Sequence, residues 1–146
     1  MSEWTRNHAI RDAKDCWVYV IAAVSDDRHV VGPVKVGITA DVPKRLSGLQ
    51  TGSPLKLVIV GKYAFWRREH ARLVEGAFHR ACDVHRLEGE WFDIMPDAAV
   101  AIMAVNIKAF VDRVLQPEET TQYFSAMSYI GLPGFDYDLD GLEFKY

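Results

Sequence analysis

Cysteine is almost missing from this chain. Two thiols, Cys16 and Cys82, stand far apart in 146 residues, with no CxxC spacing and no partnering histidine motif. That argues against a disulfide framework and a thiolate zinc site. It leaves two buried or idle thiols of a reducing compartment, with the cytoplasm as the expected location. Long apolar runs are missing too: none approaches the ~18 residues of a membrane span, and the opening "MSEWTRNHAIRDAKDC" is too polar for a signal peptide. No internal repeat and no low-complexity tract is present. Basic residues nearly vanish from the end: between Gln116 and Tyr146 one lysine faces six acids, Glu118, Glu119, Asp136, Asp138, Asp140 and Glu143, a net charge of −5.

What remains is an ordinary globular mixture, 49% hydrophobic and 25% charged, long enough for one domain with extensions. The patterning divides it into an N-terminal extension (1–15), a domain (16–115) and an acidic, aromatic C-terminal tail (116–146). The overall charge of −3 conceals a basic middle: between Val34 and Asp83, nine Lys and Arg stand against four Asp and Glu, a net +5. A basic middle followed by an acidic end points to an anionic partner.

"CWVYVIAAV" (16–24) has the aromatic and β-branched content of a strand. "SDDRHVVGP" reads as a turn leading into "VKVGIT" (34–39), so the two strands form an antiparallel hairpin. The second strand is odd. Val34, Val36 and Ile38 share one face, which leaves a cation, a bare backbone and a hydroxyl (Lys35, Gly37, Thr39) in a row on the other. In "ADVPKRLSGLQTG", Asp41 caps a helix, Pro43 suits its first turn, and Gly52 with Pro54 ends it; Val42, Leu46 and Leu49 face the core. A third strand follows at 55–65. A helix over 66–82 carries the stripe Ala71, Val74, Phe78 and Cys82, "EWFDI" is a short extended piece, and an apolar helix spans 97–115. The expected fold is a small α+β domain, a mostly antiparallel three-stranded sheet flanked by helices.

Five pieces in order, "WVYVI", "VKVGIT", "KRLSGLQTG", "VEGAFHR" and "EGEWFDI", make the stretch 16–94 resemble the GIY-YIG nuclease superfamily. More narrowly it is similar to its branch of phage-ORF DNA-binding and meiotically up-regulated-gene-like domains. The resemblance implies a three-stranded antiparallel sheet flanked by helices and divalent-metal-dependent hydrolysis of DNA phosphodiesters. Residue by residue, Tyr19 falls on the tyrosine of the first motif, Val36 and Gly37 on the end of the second, Arg45 on the helix arginine and Glu75 on the metal-binding glutamate. Two departures stand out. Lys35 occupies the second motif's tyrosine position, and the only asparagines are Asn7 and Asn106, neither in a motif that would place it in a site.

The chemistry assigns roles accordingly. Glu75 would hold one Mg²⁺ or Mn²⁺, a hard cation that accepts a single carboxylate and completes its shell with waters and phosphate oxygens. Arg45 would clamp the phosphate. Tyr19 is a poor base at a pKa of about 10; the Lys35 ammonium beside it would favour the phenolate. Lys35, Gly37, Lys44, Arg45 and Arg72 would form the nucleic-acid face, with Gly37 admitting a close backbone approach, and His79 would stand near the phosphate. The plainer alternatives are an edge-strand lysine at 35 that discourages aggregation, and helix-surface charge pairs of Glu75 with Arg72 and His79. His70 and His85 are expected on the surface and Trp91 and Phe92 in the core; Glu90 would cap or pair with a basic residue, and nothing in the sequence places it near the metal.

In the tail, "DYDLDG" (136–141) fits the first positions of a calcium loop but lacks the closing glutamate, so an acidic turn is the better reading, one that could cover the basic face. The expected function is a metal-dependent DNA endonuclease. The alternatives are a catalytically silent nucleic-acid-binding module, and a protein-interaction domain that uses the tail. Sequence-specific cleavage by so small a domain would call for a homodimer or an accessory DNA-binding partner.

Overall fold

The computed structural model describes residues 16–25, 29–65 and 67–118. The expected N-terminal extension, and the tail from residue 119 onward with its "DYDLDG" turn, lie outside the described residues. Four strands form one antiparallel sheet: β1 (Trp17–Val24), β2 (Val30–Thr39), β3 (Lys56–Ala64) and β4 (Trp91–Phe92), in the order β3-β1-β2-β4. β1 is central to the pairing, with Tyr19 opposite Gly37 of β2 and opposite Lys62 of β3. Among the described residues three α-helices flank the sheet in this α+β fold: α1 (Val42–Thr51), α2 (Arg68–Ala81) and α3 (Pro96–Arg113).

The sheet therefore has one strand more than the three expected. β4 is only two residues long, and a run that short carries no alternation to read. What makes it a strand is pairing with β2, Val34 opposite Phe92 and Lys35 opposite Trp91, extended by the Glu90 carbonyl accepting from the Val36 N–H at 3.2 Å. β2 also begins earlier than expected, at Val30. Pro33 has no N–H to contribute to a ladder, and the β1–β2 register shifts there, Ala22 pairing with Val34 and Ala23 with Val31.

Alternation along β1 and β2 gives the sheet two covered faces. Val18, Val20, Ala22, Val34 and Val36 lie beneath α2 and α3, with Ala71, Val74, Phe78, Ala99, Met103 and Phe110. Tyr19, Ile21 and Ala23 share the opposite face with Leu57, Ile59 and Val42 of α1. α1 is capped as expected: the Asp41 carboxylate accepts from the Lys44 N–H at 3.0 Å, with Pro43 in the first turn. His70, expected on the surface, is instead buried with its ring edge-on to Phe110 at 5.0 Å. Positions 70, 74 and 78 fall on one helical stripe. Phe92 is fully buried, edge-on to Phe78 at 5.5 Å. Truncating such a ring costs about 3–5 kcal/mol, so β4 is firmly anchored where it meets β2.

Candidate active site

The unusual face of β2 is explained by what stands above it. The Tyr19 ring lies across Gly37, and a Cβ at residue 37 would sit 2.5 Å from the Tyr19 hydroxyl oxygen, 2.8 Å from Cζ and 2.9 Å from Glu90 Oε2. Gly37 is thus the space into which two polar side chains converge. Lys35, one step along the same face, holds the second of them: its Nζ is 3.3 Å from Glu90 Oε2 and rests 5.7 Å from the centre of the Trp91 ring. Thr39 closes the row by building the turn into α1, its hydroxyl accepting from the Asp41 N–H at 3.1 Å.

Glu90 is the residue that sequence reasoning left out of the site. Its loop is bound locally. The Arg86 guanidinium pairs with Asp83 at 3.1 Å, donates to the Gly89 carbonyl and stacks over Phe92. Gly89 supplies the one positive φ, 59°, that the reversal into β4 requires. The text "GEWF" was visible, but nothing local says that its glutamate faces Tyr19; that follows only from β4 pairing with β2.

Glu75 approaches from α2, one helical turn before His79. His79 donates Nε2–H to the Val36 carbonyl at 2.9 Å, because a carbonyl can only accept. On an antiparallel strand, a residue's N–H and C=O point to the same side. The Val36 peptide groups therefore bond Glu90 and His79 along one edge of β2, which brings the α2 carboxylate and the β4 carboxylate to the same end of the strand. The Glu75 pKa is raised from 4.5, first by burial and next by the Glu90 charge, with His79, Arg72 and Arg68 opposing.

Tyr19 moves opposite to expectation. Burial, then the negative charge of Glu90, push its pKa up to about 12, against a smaller downward pull from Arg45. Lys35 does not drive Tyr19 toward phenolate; its ammonium is engaged with Glu90. At neutral pH the phenol keeps its proton. The ring is 1% exposed, yet the hydroxyl has no hydrogen-bond partner among the described residues.

Beside these groups a cleft of about 660 Å³ opens between α1 and the start of α2, lined by Thr39, Asp41, Lys44, Arg45, Gly48 and Arg68, among others. Among the described residues, none of its three cations has an ion-pair partner, and Asp41 is occupied as the helix cap. The structure thus brings Tyr19, Lys35, Gly37, Glu75 and His79 to one end of the sheet, within the electrostatic reach of Arg45 and Arg72. Lys44 lies with Arg45 in the cleft. Arg68 was missed, because a lone arginine at a helix start carries no signal of what it faces.

Among the described residues, no group of three or more His, Cys, Asp or Glu gathers to cage a metal ion. Glu75 and Glu90 are oxygen donors, and such a pair suits a hard Mg²⁺-like cation that keeps several waters rather than a soft metal. No helix among the described residues is long and apolar enough to cross a membrane. Residues 16–107 match the family described as "T5orf172 domain". No curated protein and no solved structure matches the chain.

Proposed function

The chain belongs to the T5orf172 domain family, and we propose that it is a divalent-metal-dependent endonuclease of GIY-YIG type that hydrolyses DNA phosphodiester bonds. The observation that carries this reading is the convergence of two carboxylates and a tyrosine hydroxyl that has no hydrogen-bond partner among the described residues, beside a cleft whose three cations have no ion-pair partner among those residues.

Glu75 would hold a Mg²⁺ or Mn²⁺ ion, which supplies charge neutralisation at the phosphoryl oxygens and lowers the pKa of a bound water. Arg45 presents its fork of donors to the phosphate from the cleft, and Lys44 and Arg68 hold neighbouring phosphates of the same strand. Tyr19, protonated at neutral pH, acts as a fixed hydrogen-bonding group that orients the attacking water or donates to a phosphoryl oxygen. It does not act as a phenolate base. His79 keeps α2 docked on β2 and favours the ionised form of Glu75.

The test is nicking of supercoiled plasmid by the full chain with Mg²⁺, with Mn²⁺ and with EDTA. Metal-dependent nicking supports the reading. DNA binding without cleavage in either metal transfers it to the silent binding module.

Two outcomes follow from the geometry. Tyr19→Phe is expected to lower cleavage by about 10²-fold, the scale of a lost transition-state hydrogen-bond donor, while leaving the melting temperature unchanged or slightly raised, because the hydroxyl satisfies no partner among the described residues. A large fall in stability would show that the hydroxyl is structural. Arg68→Ala is expected to reduce the slope of log affinity against log salt by about 0.9, one phosphate contact. An unchanged slope in fluorescence anisotropy would remove Arg68 from the DNA path.

A further inference from the structure

Glu90 has no role in the mechanism above, yet its position is among the most tightly determined in the site. Its backbone carbonyl is bonded to the Val36 N–H, its loop is tied by Arg86, and its Oε2 lies over Gly37 on the same side as the Tyr19 hydroxyl. The adjoining Val36 carbonyl bonds His79, one turn from Glu75. The Glu90 side chain is part exposed, 41%, so it pairs with Lys35 on one side and meets solvent, the source of an ion, on the other. Its Oε2 and the Tyr19 hydroxyl, which has no hydrogen-bond partner among the described residues, both stand over Gly37.

We propose that Glu90 is a second protein ligand of the divalent cation held by Glu75, with the Lys35 ammonium occupying its charge until the ion binds. This rests on the metal-dependent reading above and assigns that site its second carboxylate. The arrangement accounts for two otherwise unexplained features. Lys35 beside Glu90 is a competing cation, which keeps a two-carboxylate site from repelling itself in the absence of metal. Gly37 is the only residue that leaves room for Glu90 Oε2 and the Tyr19 hydroxyl together.

The experiment is calorimetric titration of Mn²⁺ into the full chain at neutral pH, for wild type, Glu75→Gln, Glu90→Gln, Glu90→Asp and Lys35→Met, each checked for an unchanged circular-dichroism spectrum. Glu90→Gln is expected to weaken Mn²⁺ binding at least tenfold, and Glu90→Asp to weaken it as well, because the charge is kept while the oxygens are withdrawn. Lys35→Met is expected to strengthen binding several-fold by removing the competing cation. Glu75→Gln weak with Glu90→Gln equal to wild type overturns the inference and leaves the proposed function standing. Glu90→Asp equal to wild type reduces Glu90 to a distant charge and also overturns it. Mn²⁺ binding that Glu75→Gln does not weaken, or no binding by wild type, overturns the proposed function together with the inference.

Discussion

Glu75→Gln is expected to abolish metal-dependent plasmid nicking, a loss of about a thousandfold or more, while DNA affinity changes little and the folded domain becomes slightly more stable. A thousandfold is ~4 kcal/mol of transition-state stabilisation, within what a metal ion contributes by neutralising phosphoryl charge. Affinity is spared because the cations proposed to meet the strand, Lys44, Arg45 and Arg68, lie in the cleft and not at residue 75. The gain in stability follows from the raised Glu75 pKa, whose first cause is burial and whose second is Glu90. A carboxyl with a folded pKa above its unfolded value binds protons more tightly in the folded state, so stability declines as pH rises. The penalty is absent below the unfolded value near 4.5 and fully present above the raised one. The neutral amide removes it, so the wild-type and variant melting curves should converge in acid and separate toward neutrality. Loss of cleavage with a lower melting temperature at neutral pH would mean instead that Glu75 holds the helix in place.

Gly37→Ala carries the second large effect, on stability and activity together. The added methyl would lie 2.5 Å from the Tyr19 hydroxyl oxygen and 2.8 Å from Cζ, distances no real Cβ tolerates. Tyr19 is 1% exposed and fixed between strands, so its ring cannot swing aside cheaply. Overpacking of this kind costs about 1–3 kcal/mol, and each kcal/mol lowers the melting temperature of a domain near 100 residues by about 4–8 °C. Activity should fall further than stability alone accounts for, because the group displaced is the hydroxyl itself. Gly48→Ala is the control: a Cβ there meets nothing within 4 Å, in the middle of α1, so it should hold or raise stability by up to about 1 kcal/mol. Combining Gly37→Ala with Tyr19→Phe removes the closest contact and leaves the Cζ one, so a double-mutant cycle should recover part of the lost stability and none of the activity. Equal melting temperatures for wild type and Gly37→Ala would show that the ring does not cover residue 37.

Tyr19 shows how far residue-by-residue reasoning reaches. Its place on the strand follows from alternation and a hairpin, but its opposition to Gly37 does not, because the register shifts between Ala22 and Ala23. Nor does the sign of its pKa shift. Lys35 stands two residues from Gly37 on the same face, and proximity alone suggests that its ammonium favours the phenolate. Burial dominates instead, and the charge next in size is Glu90, which has already taken up Lys35. His70 is a different case. Its stripe with Val74 and Phe78 is written in the helix period, and that period prevails over the general preference of histidine for surfaces, burying the ring against Phe110.

Local pattern determined the two long hairpin strands, the capped helix α1, the two later helices and the row Lys35, Gly37 and Thr39 on one face, because alternation, capping and helical period act between residues near in sequence. Only the tertiary structure decided that β4 joins β2, that Glu90 thereby stands with Lys35 above Gly37, that His79 closes the Val36 edge, and that Arg68 completes the cationic cleft. Each of these depends on hydrogen bonds and charges between segments tens of residues apart. No local pattern encodes such meetings, which exist only once β1, β2 and α2 have packed.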